Sequence, residues 1–201
     1  MSPAFREVNM KNEIIQAFQE SADVKMRFIR KNAEVLAQVI KMVVEAFKGG
    51  NKILLFGNGG SAADAQHIAA EFVNRFIMER PPLPAIALTT DTSILTSISN
   101  DYGFADSFSK QVKALGRPGD VAIGISTSGA APNVTKAVKV AREMGLKTVG
   151  VAGKDGGALA KLVDVALVVD SQSVPRIQEV HITIGHVLCG MVDQMLFQEP
   201  A

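Results

Sequence analysis

The sequence predicts an α/β protein built on a doubly wound, five-stranded parallel sheet. Three observations carry this. Five short apolar runs (52–56, 85–89, 121–125, 148–152 and 165–169) alternate with helical patterns. The runs are apolar throughout rather than alternating, as strands covered on both faces are. The loops between them are short and rich in Gly, Ser, Asp and Pro.

The first fifty residues precede any strand. Residues 1–9 read as irregular because Pro3 interrupts them. Two helical patterns follow. One runs from Asn12 to Phe28; the other has Val35, Leu36, Val39, Ile40, Val43, Val44 and Phe47 at spacings of three and four. Gly49-Gly50 stops it. So much helix before the first strand fits either a helix packed on its own sheet or an oligomer interface.

The organising stretch is Lys52-Ile-Leu-Leu-Phe-Gly-Asn-Gly-Gly-Ser61 and the helix from Ala62 to about Phe76. A strand, a glycine turn and a helix N-terminus form a cradle where backbone N–H groups and the helix dipole favour an anion. The loop lacks the spacing of a dinucleotide fingerprint and the Lys-Ser/Thr of a P-loop. Glu79-Arg-Pro-Pro-Leu-Pro84 breaks the helix. A helix start at 90–93 follows the second strand, then a turn at 100–103 and a helix from Phe104 to Leu115. After the third strand, Ser126-Thr127-Ser128-Gly129 places three hydroxyls before a helix ending near Met144, where they either cap it or hold a phosphate. A short helix follows Lys154-Asp-Gly-Gly157, and the last helix runs from about Pro175 to Phe197. In such sheets ligands bind off the carboxyl ends of the strands, where both candidate loops lie.

Composition narrows the function. The 201 residues carry 21 Lys+Arg and 20 Asp+Glu, a net charge of +1 with no basic block, which argues against nucleic-acid binding. The single cysteine, Cys189, excludes an internal disulfide and points to a reducing, cytoplasmic compartment. No secretory leader or uninterrupted membrane-length apolar run is visible.

Histidine occurs three times. His67 and Glu71 are four apart and share a helix face, as two metal ligands or as a base and its partner would. His181 and His186 are five apart on the last helix, about 140° round it. Gln178 is a neighbour of His181 but roughly 12 Å along the axis from His186, so spacing favours Gln178 with His181.

In combination, Phe56-Gly-Asn-Gly-Gly-Ser-Ala-Ala-Asp-Ala-Gln-His67, Ser99-Asn-Asp-Tyr-Gly103, Ile125-Ser-Thr-Ser-Gly129, Gly153-Lys-Asp-Gly-Gly157 and Arg176-Ile-Gln-Glu-Val-His181-Ile-Thr-Ile-Gly-His186 resemble the SIS (sugar isomerase) domain family. Within it they resemble the phosphoheptose isomerases, in order over nearly the whole chain. The resemblance implies one flavodoxin-like SIS domain over residues 1–201, with 1–48 as a helical N-terminal extension whose helices join a bundle in a cytoplasmic homotetramer. It implies conversion of sedoheptulose 7-phosphate to glycero-manno-heptose 7-phosphate through an enediol, the first step toward surface-polysaccharide heptose. It implies zinc held by His67, Glu71, Gln178 and His186, against the spacing argument. It implies Glu71 and His186 as acid/base groups. Asn58, Gly59, Gly60, Ser61, Glu71, Asp101, Ser126, Thr127, Ser128 and Gln178 would hold a phosphorylated seven-carbon sugar. Two departures stand out: Ala130 and Ala131 replace an Asn and a Ser of the usual serine loop, and Pro175 precedes Arg176. The alternatives are a non-catalytic SIS tetramer that binds the replication initiator DnaA, and a sugar-phosphate sensor.

Overall fold

The computed structural model describes residues 3–198, with side chains from residue 9 onward. One parallel sheet forms its centre: β1 (Ile53–Gly57), β2 (Ala85–Ala87), β3 (Val121–Ser126), β4 (Lys147–Gly153) and β5 (Val165–Val169). Their order is β2-β1-β3-β4-β5, and every pairing is parallel. The chain starts beside the centre, steps to one edge and then returns across to the other. The carboxyl ends of β1 and β3 therefore lie side by side, with Gly57 opposite Ile125. This is the expected α/β sheet, and β5 has the predicted bounds. β2 stops at Ala87, two residues early.

The helices are α1 (Pro3–Lys48), α2 (Gly60–Val73), α3 (Thr92–Asp101), α4 (Ser109–Leu115), α5 (Pro132–Glu143), α6 (Gly157–Leu162) and α7 (Val174–Phe197). One hydrophobic cluster joins α1, α2 and α7 to one face of the sheet through residues such as Val43, Ile68, Ile123, Ile177 and Leu188. Another covers the opposite face from α4, α5 and α6 through Phe56, Phe108, Val134 and Leu159.

Three expectations need correction. The two N-terminal helical patterns are one helix of 46 residues, about 70 Å long at the standard rise. The polar stretch Arg30-Lys31-Asn32 continues the helix, with Arg30 and Lys31 exposed and half-buried Asn32 donating to the Phe28 carbonyl at 2.9 Å. Pro3 stands at its first residue, where a missing N–H costs nothing; residues 1 and 2 lie outside the described residues. The helix expected over 104–115 is a 3-10 turn (Phe104–Asp106) followed by α4. Finally, α2 ends at Val73 rather than Phe76.

By length and composition α7 could cross a bilayer. Here it lies on the sheet and α1, with Ile177, His181, Ile184 and Leu188 buried at helical spacing. The first half of α1 has little to pack on: Met10, Ile14, Ile15 and Phe18 are exposed.

Candidate active site

The glycine loop and the serine loop meet as the sheet order requires. Asn58, Ser61, Ile125, Ser126, Thr127, Ser128 and Ala131 line one cavity of about 150 Å³. Gly59 precedes α2 with φ at 56° and no side-chain cap, and the N–H groups of Ser61 and Ala62 bond back to the Asn58 and Gly59 carbonyls, so the head of α2 opens on this loop. At Gly57 a Cβ would come within 2.8 Å of the Ile125 carbonyl and of Ser61 Cβ, so the two strand ends can meet only around glycine. Ser61 and Ser126 are buried, and Ser126 Oγ lies 3.4 Å from Ser128 Oγ. Such a pocket of hydroxyls and helix N–H groups suits a phosphate or a sugar hydroxyl.

Asn58 is fixed by a residue that sequence reasoning missed. Its amide and that of buried Asn133 donate to each other at 2.9 and 2.8 Å. Asn133 also accepts from its own neighbour, Val134 N, at 3.0 Å. The only sequence signal for it was an Asn in the first turn of α5.

The second half of the site lies about two to three turns along α2. His67 Nε2 is 3.3 Å from Glu71 Oε1, the i,i+4 pairing expected. His67 Nε2 is also 3.0 Å from His186 Nε2 on α7. The His186 ring stacks on Phe76 at a centroid distance of 5.6 Å. Two imidazole nitrogens at that distance can share one proton or face one cation. His67 is therefore common to two donor pairs, although no three His, Cys, Asp or Glu side chains among the described residues already surround a single ion position.

The structure brings His186, and not His181, to His67. His181 is buried in the interior, 2 % exposed, with no hydrogen-bond partner for either ring nitrogen among the described residues. Burial holds its pKa down to about 4, slightly offset by the Ala152 backbone. Gln178 stands apart from the His67 cluster in this chain. Its amide covers Gly60, where a Cβ would sit 2.1 Å from Nε2, and it lines a separate hollow with Ala63, Asp64, Glu179 and Ile182. Burial raises the pKa of Asp64 there, partly countered by His67. Asp101 is exposed at the end of α3, accepting from Asn100 at 2.9 Å, and does not line the serine cavity.

In the sequence Arg80 marks only a helix break. It is buried at the end of α2, bonding to backbone carbonyls there and to Asp193 of α7. Cys189 lies between the same helices, and burial, then the charges of Glu71 and Asp193, push its thiol up to about 12, so it stays a neutral apolar filler.

A parallel sheet with a hydroxyl-lined cradle at its strand ends is an arrangement able to take a phosphate, and sequence comparison gives the family. The family model described as SIS domain matches residues 17–153. The phosphoheptose isomerase of Thermodesulfovibrio yellowstonii is 52% identical over 194 residues, covering 96% of both chains. That of Roseiflexus sp. is 57% identical over 186 residues, covering 92% of this chain and 94% of the relative. The solved phosphoheptose isomerase of Neisseria gonorrhoeae superposes with a TM-score of 0.87 at 44% identity, covering 92% of this chain and 99% of its own. The chain belongs to the SIS domain family, and within it to the phosphoheptose isomerases.

Proposed function

We infer that the protein is an aldose–ketose isomerase that converts sedoheptulose 7-phosphate to glycero-manno-heptose 7-phosphate. The observation that carries this beyond family membership is the His67–Glu71–His186 cluster on α2 and α7, with the hydroxyl cradle at the head of the same α2. In a bound sugar phosphate, Ser61, Ser126, Thr127 and Ser128 hold the phosphate end, and Asn58, fixed by Asn133, donates to a sugar oxygen. Glu71 takes the proton from C1 of the ketose and returns it to C2. His186 moves a proton between the two oxygens of the enediol. Proton transfer by positioned groups of this kind contributes about 10²–10⁴ in rate.

A divalent ion of the zinc type fits these residues. The imidazole nitrogens and carboxylate oxygen are donors of the kind zinc takes, and His67 Nε2 lies 3.3 Å from Glu71 Oε1 and 3.0 Å from His186 Nε2. His67, Glu71 and His186 would hold the ion, with Gln178 as fourth ligand, supplied by this subunit or a neighbour, and Glu71 and His186 would take up protons only when released from it. The chemistry such an ion would supply there is polarisation of the sugar carbonyl. The exposed apolar residues of α1, with Val187, Met191 and Met195 of α7, support assembly as a tetramer. Asp101 would meet sugar hydroxyls in that assembly. On this reading the activity would be cytoplasmic, at the start of heptose supply for surface polysaccharide.

The test is turnover of sedoheptulose 7-phosphate, followed by product formation with and without a chelator. The expected result is isomerisation that the chelator abolishes and added Zn²⁺ restores. A pure protein that binds the sugar phosphate without turning it over would be a sensor instead.

A further inference from the structure

The last turn of a helix leaves carbonyls without helical partners. At the end of α2 these include the carbonyls of Glu71 and Phe72, and one guanidinium covers both. Arg80 Nη2 donates to Glu71 O at 2.8 Å, and Nη1 donates to Phe72 O at 2.7 Å and Asn74 O at 3.1 Å. Its remaining nitrogen, Nε, donates to Asp193 Oδ1 at 2.9 Å. The ion pair is fully enclosed, with side chains 1% and 3% exposed. The other Asp193 oxygen has no partner among the described residues, so Asp193 has no visible task except this arginine.

Asp193 lies seven residues after His186, two turns along α7 on the same side of the helix. Arg80 therefore joins the backbone of one acid/base residue to the helix that carries the other. A buried charge pair is a poor way to gain stability, because desolvating both charges offsets their attraction. Its particular contribution is directional, since a planar fork with five N–H donors fixes both partners in angle and distance.

We propose that Arg80 is a positioning residue for the reaction. Through the Glu71 carbonyl and Asp193 it sets the separation and orientation of Glu71 and His186. The proposal rests on reading those two as the acid/base pair.

Two variants test it, read by zinc affinity in competition with a chelator and by steady-state kinetics, with thermal unfolding of the same samples. Arg80→Lys keeps a charge for Asp193 and cannot reach the Glu71 carbonyl at the same time. Arg80→Met combined with Asp193→Leu removes both charges together and leaves an apolar contact in their place. In each, zinc affinity falls by about 10–100-fold, the usual effect of losing a residue that orients a metal ligand. kcat falls at least as far as zinc affinity, and KM stays within about three-fold because the phosphate cradle is at the other end of α2. A folded variant with zinc affinity and kcat within two-fold of the parent overturns the proposal. So does failure of both variants to fold, which would make the pair a folding device. A parent that binds zinc without isomerising the sugar removes the isomerase reading while zinc affinity still decides the role of Arg80. A parent that isomerises without binding zinc leaves kcat to decide it.

Discussion

The Nε2 atoms of His67 and His186, 119 positions apart in the chain, lie 3.0 Å apart between α2 and α7. Glu71 faces the same His67 nitrogen at 3.3 Å. Chemistry at this site depends on how two helices from distant parts of the chain are held against each other, and it can be separated by mutation from phosphate binding.

Glu71→Gln keeps the size and one oxygen of the side chain and removes the base. The expected outcome is a fall in kcat of about 10²–10⁴, with KM for sedoheptulose 7-phosphate changed only a few-fold. His186→Ala should show the same split, and His181→Gln should leave kcat within a few-fold. Steady-state kinetics on all three variants check this. Full activity in Glu71→Gln would remove it as the base.

Much of this arrangement was legible in the sequence. Apolar runs bounded by turn residues located all five strands, and the position of Gly57 and Ser126 after two of them located the cradle. What spacing could not decide was which histidine of α7 faces α2. Periodicity separates His181 from His186 by an angle, but only the packing of α2 on α7 says which angle is occupied. The same holds for Arg80, whose partners are backbone carbonyls that leave no mark in sequence, and for Asn133, whose partner lies 75 positions away. The single long α1 was hidden because an exposed helical turn tolerates the polar residues that would also end a helix.

His181 gives the fold a pH dependence of definite sign. In the folded protein burial holds its pKa down to about 4, while unfolded histidine titrates near 6.5. Between these values the unfolded chain binds a proton that the folded one does not, so stability rises with pH across this window. It is fully present above about pH 6.5 and lost as pH falls toward 4. The loss comes to about 3 kcal/mol at 1.36 kcal/mol per pH unit. His181→Leu should flatten this acid limb in urea unfolding measured from pH 4 to pH 7. An unchanged limb would assign the acid sensitivity to other groups.

Ala131 offers a gain-of-function test of the cradle. It occupies the N-cap position of α5 with extended backbone, φ −63° and ψ 119°, and makes no side-chain cap. It also lines the cavity shared by Asn58, Ser61 and Ser126. A serine here would supply a cap, worth about 1 kcal/mol, which raises the melting temperature by a few degrees. When a ligand is present, the same hydroxyl turns to its phosphate. Hydrogen bonds to charged groups contribute about 1.5–3 kcal/mol, so Ala131→Ser should lower KM for sedoheptulose 7-phosphate by about ten-fold or more, with kcat little changed because Glu71 and His186 lie further along α2 and α7. Thermal unfolding and steady-state kinetics on the same preparation separate the two effects. A higher melting temperature with unchanged KM would mean that the hydroxyl serves only the helix and that the phosphate does not occupy this cavity.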